Sequence, residues 1–112
     1  MTIVKAHEAR EVPNPHGVTA RALYSGQGAQ VIMITLRPGE SLKRHAVPMD
    51  VVFYVLEGEG IVEIGDEDAE ISADHLIACP AHTPHRFRNH GPADLRFLVI
   101  KLLGDLAQVE ES

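Results

Sequence analysis

The stretch of residues 38–60, PGESLKRHAVPMDVVFYVLEGEG, constrains the fold more than any other part of the chain. A Pro-Gly turn opens it, a short polar segment carries His45, and a β-branched and aromatic run at residues 51–56 follows before the turn EGEG. Such a pattern makes a strand that can aim a polar side chain into a small barrel. Residues 80–89, PAHTPHRFRN, form a second histidine-bearing stretch, expected across a shared cavity from the first.

The rest of the chain reads in the same way. Strand segments at residues 18–24, 29–36, 61–64, 69–72, 76–79, 86–89 and 95–102 alternate with turns that carry Gly, Pro, Asn or Asp. An early edge strand is expected at residues 2–6, and a hairpin around Gly65-Asp66-Glu67-Asp68. Eight to ten short strands at close spacing favour a sandwich or barrel, and no segment holds a helical period over three turns. Within the strand at 29–36, residues 31–34 are contiguously apolar, as is the run at 51–56, which predicts burial on both faces and a homodimer that covers the second face. The expected organisation is one domain over residues 1–112, with an N-terminal arm at 1–17 and an acidic tail at 104–112.

Ten basic against sixteen acidic residues give a formal charge of −6, which argues against nucleic acid or an anionic membrane as partner. Lys43, Arg44, Arg86 and Arg88 are the one local basic group and read as a solvated rim. No run approaches the length of a membrane helix and no leader sequence is apparent, so a cytoplasmic protein is expected. Cys79, the single cysteine, lies in an apolar run and reads as a small hydrophobe. The fragment Gly58-Glu59-Gly60 has no helix after it, so a dinucleotide site is not supported.

Of seven histidines, His45 and His85 are the informative pair: each follows a Pro-containing turn and leads into a strand. Neutral imidazole is a good ligand for zinc, iron or nickel. At this point the chain resembles the cupin family. Gly39, His45 and Gly58 fall on that family's first motif with correct spacing, and Pro80, His85 and Asn89 fall on its second. The resemblance covers roughly residues 29–102 and implies an all-β, cupin-type double-stranded β-helix, or jelly-roll barrel. It also implies a metal held by three histidines and a glutamate, but here the second histidine position is Val47 and the glutamate position is Val51. The second motif's two glycines fall on Asp74 and His82.

Two readings of the site therefore stand. In one, a small molecule binds in the barrel cavity among His45, His85, Phe53, Phe87 and Met49, with no metal or a weakly held one. In the other, a dioxygenase- or isomerase-like enzyme holds a divalent metal (zinc, iron, nickel or manganese) through His45 and His85, with His82 or Asp50 completing the set. A structural role, with incidental histidines, is the third possibility.

Overall fold

The computed structural model describes residues 1–104, so the expected acidic tail lies, beyond Gly104, outside the described residues. Eight strands follow one another: β1 (Thr19–Ser25), β2 (Ala29–Leu36), β3 (Val51–Glu57), β4 (Glu59–Ile64), β5 (Glu67–Ser72), β6 (Leu76–Cys79), β7 (His85–Arg88) and β8 (Leu95–Leu102). Three of them, β2, β6 and β8, keep the bounds read from the sequence. The expected strand at residues 2–6 does not form; a single 3-10 turn at Ala6–Glu8 stands at its end, with Met1 and Ile3 exposed. No helix among the described residues is long and apolar enough to cross a membrane.

The strands make two sheets, one of five strands in the order β1-β2-β8-β3-β6 and one of three in the order β5-β4-β7. The architecture is the double-stranded β-helix, built as two facing sheets rather than one continuously hydrogen-bonded barrel. Strand alternation sends Val51, Phe53 and Val55 of β3 and Leu95, Phe97 and Val99 of β8 into the space between the sheets. From the smaller sheet, Val62 and Phe87 meet them. Phe87 stacks on Phe97 with centroids 4.2 Å apart, and Phe53 closes on Phe87 at 4.7 Å. Such aromatic pairs add about 0.5–1.5 kcal/mol each beyond the area they bury.

The outer face of the larger sheet is the one where a partner subunit is expected. Val52 and Tyr54 of β3 and Leu98 and Ile100 of β8 are half-buried rather than buried on this side. Register sets Val31, Ile100 and Val52 side by side, and Met33, Leu98 and Tyr54 in the next row, so an apolar band crosses three strands.

Two turns carry left-handed residues where the family uses glycine. Asp74 has φ 68° and His82 has φ 65°. Gly58, by contrast, has φ 86°, and a Cβ there would collide with the Asp94 carbonyl. Asn89 holds the next corner. It is 2% exposed, and its amide nitrogen donates to the carbonyls of Leu36 and Ala93 at 2.9 Å each. Its side-chain oxygen accepts the Gly91 N–H, also at 2.9 Å.

Candidate functional site

The polar segment before β3 is what brings the two histidines together. It runs antiparallel beside β7: Leu42 donates its N–H to Phe87, and His45 and His85 exchange both main-chain bonds, at 3.2 and 2.9 Å. Directly opposed residues of an antiparallel pair project side chains to the same face. The two rings therefore lie side by side on one wall, centroids 4.6 Å apart, and not across the cavity from each other. Next to His45, Arg44 turns the other way; its guanidinium donates to the Gly65 carbonyl at 2.7 Å and approaches Glu63 at 3.5 Å. Arg86 and Arg88 reach the same carboxylate at 2.7 and 3.0 Å. The Arg86 hydrogen bond holds the Glu63 carboxyl below its usual range. Three of the four residues read as a basic rim thus converge on one acid and pin the segment that bears His45.

Both imidazoles are oriented through Nδ1. His45 Nδ1 lies 3.1 Å from the Lys43 carbonyl and His85 Nδ1 3.1 Å from the Thr83 carbonyl. A carbonyl accepts only, so in the neutral ring the proton sits on Nδ1 and the lone pair on Nε2. His85 is 3% exposed; burial pushes its pKa down, and the neighbouring His45, Lys101 and Arg44 act in the same direction against the Thr83 bond. The Cys79 thiol, 3.5 Å from His85 Nδ1 and 1% exposed, is pushed up by burial and by Asp50, so it stays a thiol.

A third histidine joins from the N-terminal arm. Asn14 accepts from the N–H groups of His16 and Val18 through its side-chain oxygen, at 3.1 and 3.3 Å, and donates to the Val18 carbonyl at 2.7 Å. That turn presents His16, whose ring stands 4.9 Å from His45. Here the pattern inverts: the Lys43 N–H donates to His16 Nδ1 at 2.8 Å, so the proton of the neutral ring sits on Nε2. Burial, His45, Lys43 and His85 all lower the His16 pKa.

These rings line a cavity of about 340 Å³ between the sheets, with His16, His45, His85, Asn14 and Lys101 as its polar residues. Its walls are apolar, among them Ile32, Ile34, Val47, Val51 and Phe53. Phe53 faces the cavity as expected, whereas Phe87 is fully buried behind it. Met49 packs half-buried against the core and is not among the lining residues. His82 is exposed on its turn, with its N–H given to the Val47 carbonyl. Asp50 is exposed too, and its carboxylate accepts the Ala81 N–H at 2.9 Å, which ties the turn before β7 to the start of β3. A second, more polar cleft of about 400 Å³ passes Glu59, Glu70, His75 and His90, away from this site.

Two facing sheets around an apolar cavity with paired inward histidines define the class of small double-stranded β-helix proteins. The chain belongs to the cupin family, whose model, described as Cupin domain, matches residues 32–101. It is similar to the protein TT1209 of Thermus thermophilus, at TM-score 0.79 and 29% identity over 91% of this chain and 97% of that one. The polyketide cyclase RemF of Streptomyces resistomycificus shares the fold at TM-score 0.81 and 23% identity, covering 93% of this chain and 80% of that one. Polyketide synthase CurC of Streptomyces cyaneus is 36% identical over 64 residues, 56% of this chain and 42% of its own length. The chain spans about half the length of the curated relatives it matches.

The family's usual metal asks for four ligands, and the donor set here does not supply them. His45 and His85 each leave one free nitrogen; Val47 and Val51 occupy the other two positions and line the same cavity. His16 cannot take their place while the Lys43 N–H occupies its Nδ1, because its Nε2 then carries a proton. Lys101 adds a positive charge, which opposes a cation. Among the described residues, no three His, Cys, Asp or Glu side chains are grouped to hold a metal ion.

His16 and Lys101 are the residues that sequence reading missed. The composition Pro13-Asn14-Pro15-His16-Gly17 marks a fixed turn, which was the available signal for His16. Lys101 closes an apolar strand and carried none.

Proposed function

We propose that this protein binds a small, mainly apolar molecule bearing oxygen groups in the cavity between its sheets. His45 and His85 accept hydrogen bonds from that molecule through Nε2. The observation that carries the reading is the fixing of both Nδ1 atoms by main-chain carbonyls, which leaves two preset acceptors on one wall of an apolar cavity. A concave apolar site with a few convergent polar groups is the usual form of a small-molecule pocket. The names of two relatives, a polyketide cyclase and a polyketide synthase, support an oxygen-bearing carbon skeleton as the ligand class.

A panel of phenols and hydroxyketones, scored by the rise in thermal midpoint, tests it. Ligands that stabilise the native protein are expected to lose most of that effect in His45→Ala and in His85→Phe. A panel without a single stabilising compound, or equal shifts in the variants, refutes the reading.

Isomerase-like proton transfer is the second reading. It is favoured by the burial that keeps His85 neutral, which leaves its Nε2 lone pair free to act as a base toward a bound substrate. Turnover of a bound hydroxyketone that survives His85→Phe would remove it. We also propose a homodimer through the apolar band on the outer face of the larger sheet.

A further inference from the structure

The polar groups of the cavity share one electrical character. Although the chain as a whole is acidic, none of the described lining residues is a carboxylate. Lys101, near the end of β8, stands in register with Gln30 on one side and Val51 on the other, and its charge is felt at His85. The five ion pairs among the described residues are all made by arginines, so none engages Lys101. A cation on an apolar wall favours an opposite charge more strongly than it would in water. His16 adds a donor in Nε2–H, while His45 and His85 add acceptors. The cavity therefore offers a cation, a neutral donor and two acceptors within one apolar enclosure.

We propose that the ligand of this cavity is an organic anion: a flat, apolar acid or enolate with a neighbouring hydroxyl. Its negative oxygen pairs with Lys101 and accepts from His16, and its hydroxyl donates to His45 or His85. The inference rests on the small-molecule reading above and narrows it. The chemistry fits the donor set as it stands. Carboxylate or enolate oxygen is acceptor-only and matches Lys101 and His16; a hydroxyl proton matches the imidazole lone pairs. Phe53 and the branched aliphatic walls suit an aromatic body.

Calorimetric titration with 3-hydroxy-2-naphthoate and its neutral counterpart, 3-hydroxy-2-naphthamide, tests the proposal, because the pair differs mainly in charge. The native protein is expected to bind the acid at least about tenfold more tightly than the amide, as a poorly solvated charge pair should. That preference should vanish in Lys101→Met and largely persist in Lys101→Arg. In His16→Ala the acid should weaken more than the amide. In the native protein, added salt should weaken the acid alone, which tests the charge even if Lys101→Met fails to fold. Binding of acid and amide within about twofold of each other, or a preference unchanged by Lys101→Met, overturns the anion assignment. Amide that binds while the acid does not leaves the pocket reading standing and removes this one. If neither binds at millimolar concentration, the anion assignment falls, and the panel of phenols and hydroxyketones decides the pocket reading separately.

Discussion

Restoring the two missing ligands is the most direct trial of the site. Val47 and Val51 line the same cavity as His45 and His85, at the positions where the motif this chain resembles has histidine and glutamate. The variant Val47→His/Val51→Glu would place three imidazoles and a carboxylate around one space. Val51 is 2% exposed, so a glutamate there loses the burial of an aliphatic side chain and must be desolvated or protonated. Without metal we expect a cost of about 3 kcal/mol. For 112 residues, an unfolding entropy of about 2.1 cal/mol/K per residue makes 1 kcal/mol worth about 4 °C, so the midpoint should fall by about 12 °C. Zinc at a hundred times its dissociation constant contributes about 2.7 kcal/mol, or roughly 11 °C, and should nearly offset that loss. Thermal melts followed by circular dichroism, with chelator and with zinc, give the answer. The native protein, with two free nitrogens and Lys101 nearby, should move far less at the same zinc concentration. A native midpoint that rises as much as the variant's, or a variant indifferent to zinc, would refute the account of the donor set.

Other outcomes follow from particular contacts. Asn89→Ala removes three hydrogen bonds of a buried side chain and should cost about 3–4 kcal/mol in urea unfolding; a loss below about 1 kcal/mol would show that the corner does not depend on them. His82→Gly should stabilise by about 0.5–1 kcal/mol, because it relieves a left-handed histidine whose exposed ring takes no part in lining the cavity, and a destabilised variant would contradict this. Burial lowers the pKa of His85 and His16 in the folded state, so the unfolded chain binds more protons as pH falls below about 6.5. Stability should accordingly be level near pH 7 and above, and decline toward pH 5, with a shallower decline in His85→Gln. Light scattering at micromolar concentration should give a dimer mass, and Leu98→Glu, on the outer band, should yield a monomer that keeps its fold.

Much of the architecture could be read from the order of residues, because strand runs are local. Ala29–Leu36, Leu76–Cys79 and Leu95–Leu102 are bounded by turn-forming residues, and their ends needed no tertiary information. The run at residues 2–6 has strand-like composition yet stays out of the sheets; its Ile3 finds no apolar surface. His45 and His85 were identifiable as a pair, but their arrangement was not. Side-by-side placement depends on a segment of loop composition pairing with β7, which no periodicity announces. His16 is further removed still, since its part depends on a main-chain N–H that lies 27 residues along the chain. Whether a histidine is donor or acceptor is written in its neighbours in space, not in its own position.

The two left-handed turns have a consequence for how such chains are recognised. Asp74 and His82 hold the backbone shape that glycine usually supplies, Asp74 with its N–H on the Val55 carbonyl and its carboxylate accepting the Tyr54 hydroxyl at 2.7 Å. A fingerprint that insists on glycine at both places would pass over this molecule, although both residues take the left-handed backbone that glycine adopts most readily.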